Sequence, residues 1–178
     1  MTKATPAAEI EQLIDRWIEG GEPIGPENLQ TLAGKLAALF HVDSDEVAIL
    51  ALISSGKVLQ FLVPEKLKAI GFIPLTSTSA LASKTARERR AEVQNNFSTS
   101  RHVSVFEAVP LGRREGENIQ KIMSAPILAD TKIVGVVQIS RKGRTAKDAG
   151  PDFNSDELRK LQAVANTLAR VVQLTQKT

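Results

Sequence analysis

The sequence contains no cysteine. That absence removes disulfides, thiolate nucleophiles, sulfur-ligated zinc and iron–sulfur clusters together. Only two histidines occur, His41 and His102, and they stand far apart, so no histidine-rich metal site is expected. Aromatic residues make up 4% of the chain. Neither zinc-finger spacing nor an aromatic-rich RNA-binding strand is found, which argues against nucleic acid as a partner. No apolar run approaches the roughly 18 residues of a membrane span. The opening "MTKATPAAEIEQ" lacks the basic flank and apolar stretch of an export signal. The expectation is a cytoplasmic chain with no membrane partner.

What is present is ordinary for a globular protein: 42% hydrophobic and 24% charged residues in a chain of 178. That length suffices for one domain with a substantial core. The net charge of +3 is unevenly spread. Residues 1–46 hold 3 basic and 9 acidic side chains, residues 47–110 hold 8 and 4, and residues 111–178 hold 12 and 7. An acidic front and a basic remainder would steer an anionic small-molecule ligand; a mixed solvated surface explains the same distribution.

Along the chain, "TPAAEIEQLIDRWIEGG" predicts a helix with Thr5 as cap, Pro6 at its first position and Gly20-Gly21 at its end. A second helix opens at Pro26 and carries one apolar stripe from Leu29 to Phe40. "DEVAILALIS", "SGK" and "VLQFLVP" read as a β-hairpin over 47–63. A short helix follows in "PEKLKAIG", then a strand in "FIPLTS" with Pro74 marking an edge. "SALASKTARERR" is helix-forming, whereas "AEVQNNFSTSRHVSVFEAVP" and "LGRREGENIQ" read as irregular and polar. "SAPILADTKIVGVVQISRKG" is a second hairpin, and "RKGRTAKDAGPD" an exposed basic loop. The last helix is the best specified: Asn154 caps it, Glu157 completes a capping box, and Phe153 can staple onto Leu158. Hairpin-joined strands covered by helices predict an α+β fold with a mainly antiparallel sheet.

The segments "APILADTKIVGVVQISRKG" and "FNSDELRKLQAVANTLARVV" resemble the closing half of a GAF domain, a PAS-like sensor family. Pro126-Ile127, Val134 to Val137 and Phe153 to Leu161 carry the likeness, and "LAALFHVDSDEVAILALI" resembles the family's helix into its first strand. The chain is therefore read as a single GAF-like domain over 1–178, with 1–25 as an N-terminal helical extension. The resemblance implies a sheet of about six strands. It puts the N- and C-terminal helices on one face, and short helices and loops over a small-molecule pocket on the other. It also implies a non-catalytic sensor that transmits through its terminal helices. Without cysteine, the bilin-attaching members and the free methionine sulfoxide reductases are excluded. Asn95-Asn96-Phe97 is too short for the phosphodiesterase signature "NKFDE", and a haem ligand would have to be His41 or His102. No kinase, cyclase or helix-turn-helix segment follows Val172, so the chain reads as a sensor without an effector.

The ligand-binding set expected from the irregular region and the central strands is Phe61, Ile73, Asn95, Asn96, Phe97, His102, Phe106, Glu107 and Val137, an apolar lining with a few polar groups. No catalytic residue and no metal ligand is assigned, and no cofactor is named. Ser100, His102 and Glu107 supply the residue types of a hydrolytic triad but lack the nucleophile-elbow glycines. Lys84, Arg87, Arg89 and Arg90 would suit a phosphate or carboxylate, or form a solvated helix face. Gly135, a lone glycine in a strand, implies a bulge or a close approach. The apolar seam Leu158, Leu161, Ala165, Leu168 and Val172, widened by Val164 and Val171 and joined by Trp17, predicts a homodimer on the terminal helices. The alternative is a ligand-free dimerisation scaffold whose pocket is filled by Phe61, Phe72, Phe97, Phe106 and Met123.

Overall fold

The computed structural model describes residues 4–21, 23–69, 71–97 and 118–176. Helix α1 runs Pro6–Gly20 and helix α2 runs Pro26–Phe40. Thr5 caps α1 by accepting from the Ala8 N–H at 3.2 Å, and Gly21 ends it with a left-handed φ of 66°, a conformation glycine adopts without cost.

Six strands form one antiparallel sheet: β1 (Val47–Ile53), β2 (Val58–Val63), β3 (Phe72–Pro74), β4 (Glu92–Gln94), β5 (Asn118–Ala129) and β6 (Lys132–Gly143). Their order is β3-β2-β1-β6-β5-β4. Strand β4 pairs with β5 over Glu92–Gln94 and Ser124–Ile122. It falls in a stretch read from sequence as polar loop. Three residues without apolar alternation leave no period to detect; pairing with β5 makes them a strand. Strand β5 likewise starts at Asn118, inside the stretch read as a hydrophilic loop.

The two faces of the sheet are covered differently, as expected for the α+β fold. On one face α1, α2 and α5 (Ser155–Thr175) bury the larger core, built on Val47, Ile49, Met123, Ala125, Val137 and Ile139. Seven residues of α5 are buried, from Leu161 to Val172, and each large aliphatic among them contributes about 1.5–3 kcal/mol of burial. Its start is held by a reciprocal box: Glu157 N–H to Asn154 Oδ1 at 2.9 Å, and Asn154 N–H to Glu157 Oε1 at 3.2 Å. On the other face lie α3 (Glu65–Lys68) and α4 (Leu81–Glu88). They close over Leu50, Leu59, Phe61, Ile73 and Val136.

One correction concerns the C-terminal helix. Val164 and Val171 are 3% and 1% exposed and belong to the chain's own core; they leave no apolar surface over for a partner. The helix is wide-faced because it packs on both the sheet and its helical neighbours.

Candidate functional site

Alternation along β5 and β6 decides what each face offers. Val137 points into the helix-side core, so it cannot line a pocket with Phe61 and Ile73, which lie on the opposite face. Its neighbour Val136 holds that place. Met123 also packs on the helix side, and Phe72 is 50% exposed; neither fills a cavity. Phe97 is buried with Leu81 and Ile122 beneath α4. His102, Phe106 and Glu107 lie outside the described residues.

The face under α4 changes character along β6. Val136 is apolar, but Gln138, Ser140 and Lys142 follow at the same parity, and all three are buried. Ser124 on β5 pairs with Gln138 in register. A hydrogen-bonded chain runs through this floor. The Gln138 side-chain N–H donates to Ser124 Oγ at 3.2 Å, and Ser124 Oγ lies 2.7 Å from Thr85 Oγ1. The Thr85 hydroxyl donates to the Leu81 carbonyl at 3.0 Å. Thr85 has one proton and spends it on Leu81, so the Ser124 hydroxyl must donate to Thr85. Thr85 and Ser124 are fully buried and Gln138 is 4% exposed. The Gln138 amide oxygen has no hydrogen-bond partner among the described residues. Next to it, the Ser140 hydroxyl donates to the Glu46 carbonyl, and Glu46 Oε2 accepts from the Lys142 N–H at 2.6 Å.

This floor was missed in the sequence because serine, threonine and glutamine within strands and a helix look like solvated positions. The available signal was the parity of Gln138, Ser140 and Lys142 with Val136 on a strand whose other face carries the apolar Val137 and Ile139.

Asn95 does something other than line a pocket. Its side-chain amide donates to the Phe153 carbonyl at 3.0 Å, and the Phe153 N–H donates to Asn95 Oδ1 at 2.9 Å. This two-way bond ties the end of β4 to the residue before the α5 cap and engages both the amide nitrogen and the oxygen of Asn95. Asn96 is exposed. Asn95→Ala should lower stability by about 2 kcal/mol, because it leaves the Phe153 N–H and C=O without partners. A urea midpoint shift measures the effect, and Asn95→Asp, which can only accept, should fall between the two.

The basic run of α4 is also committed. Lys84 pairs with Glu92 at 3.0 Å, and Arg87 donates to the Leu75 and Ser77 carbonyls. Arg89 donates to the Thr131 carbonyl, and Arg90 sits 3.8 Å from Glu88. Lys84, Arg87 and Arg89 thereby tie α4 to its surroundings, while Arg90 stays largely exposed. A separate cleft of about 760 Å³ opens elsewhere, between the β1–β2 turn, the start of α2 and the end of α5.

Comparison with known proteins bears on this geometry. The GAF domain of a phosphoenolpyruvate-protein phosphotransferase from Acinetobacter superposes with a TM-score of 0.68 at 16% identity, covering 96% of this chain and 92% of that one. The GAF domain of the Coxiella burnetii phosphotransferase gives 0.69 at 11% identity, covering 98% and 97%. A free methionine-R-sulfoxide reductase from Neisseria meningitidis, solved in complex with its substrate, gives 0.60 at 14% identity, covering 99% and 96%. At such identities the likeness establishes the fold. A search of curated proteins returns no match. No described helix is long and apolar enough to cross a membrane. The family model of the GAF domain matches residues 26–172, from the first turn of α2 to the last buried turn of α5, and the chain belongs to the GAF domain family.

Proposed function

We propose that the chain is a non-catalytic sensor that binds a small molecule on the sheet face beneath α4. The observation that carries this reading is the buried relay Gln138–Ser124–Thr85, with the amide oxygen of Gln138 left open. A chain of buried polar side chains is informative because each member is costly to bury unless it is hydrogen-bonded, so such a chain is rare on an apolar face. Here the relay lies beside an apolar wall of Leu50, Phe61 and Val136. An apolar wall with a few fixed donors and acceptors is what a small-molecule site requires. A protein of similar fold was solved in complex with its substrate, which supports reading this architecture as one that can hold a small molecule. The same protein is a reductase, but the present chain has no cysteine and so no thiol to attack a sulfoxide. Of the expected site residues, Phe61 and Ile73 line the same apolar wall, and Phe97 stands beside it.

A thermal-shift screen of polar metabolites tests the assignment. A ligand that raises the midpoint of the wild-type chain should lose most of its effect on Gln138→Leu, which keeps the volume and removes the open oxygen. An unchanged shift on Gln138→Leu would place the site elsewhere.

The output of such a sensor would be a rearrangement of the terminal helices, since a ligand that favours one arrangement shifts the population toward it. Helix α1 supplies the surface for a homodimer: Ile18 is 37% exposed and Trp17 and Leu13 are half-buried. Light scattering at micromolar concentration should give a dimer mass, with Ile18→Glu shifting it to monomer. A monomeric wild-type chain would refute this pairing.

A further inference from the structure

We propose that the 760 Å³ cleft at the end of the β1–β2 hairpin is a second binding site, for a small polar anion carrying carboxylate or phosphate groups. Its volume lies within the range of about 300–1,000 Å³ common to small-molecule pockets. It is also distinct from the polar floor under α4, none of whose residues borders it.

The chemistry of the walls selects the ligand class. Lys68 reaches the cleft from α3 and Lys132 from the β5–β6 turn, against a single acid, Glu65. Among the described residues neither lysine makes an ion pair or hydrogen bond, in contrast to Lys84, Lys121 and Arg141, which are all engaged. Two free ammonium groups on separate walls suit a ligand with more than one anionic oxygen. Ser54 and Ser55, at the tip of the hairpin, add two hydroxyls, and both hold left-handed backbone with φ of 54° and 58°. Left-handed geometry at two successive non-glycine residues costs energy, and here it turns a short polar loop along the cleft wall. Beneath these groups the floor is apolar: Leu29, Leu62, Val63 and Val134 belong to the helix-side core. A floor of this kind lowers the local polarity and strengthens the attraction between an anion and the lysines above it.

Position gives the site a consequence. Gln173, Thr175 and Gln176, the last turn of α5, form one wall, and the Gln176 side chain already donates to the Leu52 carbonyl at 2.6 Å. An anion held between Lys68 and Lys132 would fix that turn of α5 against the β1–β2 hairpin.

The test is a titration of the isotope-labelled chain with pyrophosphate and, separately, citrate, followed by amide NMR against matched ionic strength in sodium chloride. Saturable shifts should centre on Ser54 to Gly56, Lys68, Lys132 and the 173–176 turn, and amide exchange in that turn should slow at saturation. Lys68→Ala with Lys132→Ala should weaken binding by about tenfold or more, the loss of two charge-assisted contacts. Both lysines are exposed, so the variant should fold normally. The proposal is overturned if neither probe gives a saturable shift, if the double variant binds as the wild type does, or if the shifts centre on Ser124, Gln138 and Thr85 instead.

Discussion

Arg141→Ala should cost about 3–5 kcal/mol of folding stability, the range for breaking a buried charge network by removing one member. For a chain of this size that is a fall in melting temperature on the order of 10 °C. Arg141 is 6% exposed on the helix side of β6. Its guanidinium donates to the Pro151 carbonyl at 2.7 Å, to the Phe40 carbonyl at 3.2 Å and to Glu157 Oε2 at 3.4 Å. It also lies 4.1 Å over the Phe153 ring, a cation–π arrangement. One side chain therefore closes the last carbonyl of α2, the loop before α5 and the first turn of α5. A lysine has no fork to reach three acceptors, so Arg141→Lys should recover only part of the loss. Calorimetric unfolding of the three proteins decides this; near-identical midpoints would mean that the network contributes nothing net.

Gly135→Ala should be as damaging, by steric means. A Cβ at this position would stand 2.2 Å from the Leu50 carbonyl oxygen, far inside contact distance and against backbone that cannot swing away. Strand β6 sits between β1 and β5, and an irregularity in the β5–β6 register falls at this glycine, between the pairs Ile127–Gly135 and Leu128–Ile133. The extra residue kinks β6 locally and presses it onto β1. Forcing a methyl there costs about 3 kcal/mol or more and breaks the centre of the sheet. The contrast is Gly34→Ala on the exposed face of α2, where nothing lies within 4 Å. That change should stabilise by about 0.5–1 kcal/mol through helix propensity alone. Urea midpoints should move in opposite directions for the two substitutions.

Both effects mark where sequence reading reached and where it stopped. Gly135 was recognisable as a glycine in a strand requiring a bulge or a close approach, and the structure shows a register irregularity beside a close approach of backbone. Asn154, Glu157, Thr5 and Pro26 were legible because capping is a local matter between residues about three apart. Arg141 was not. It was read both at the end of the second hairpin and at the head of an exposed basic loop, and nothing in "SRKGRTAK" shows that Phe40, over a hundred positions earlier by the bond it makes, waits above. Val137 was placed on the wrong face because a run of four aliphatics, buried on both sides, has no alternation to betray parity. Asn95 was picked out as polar and near a phenylalanine; its true partner, Phe153, is 58 residues away. Long-range pairing is what a single sequence hides. The relay at Ser124 and Gln138 was hidden for the same reason, since it exists only once β5 and β6 come into register.

That relay bears the functional reading, and native mass spectrometry of the chain purified without denaturation tests it most directly. The wild-type protein should carry a non-covalent mass of a few hundred daltons, within the capacity of an ordinary ligand pocket of about 300–1,000 Å³. Collisional activation should release it unchanged, and the Ser124→Ala, Gln138→Leu chain should lack it while keeping its fold. A wild-type chain free of bound mass, and unmoved by every metabolite in the thermal-shift screen, would contradict a sensor at this face and favour a scaffold with a closed interior.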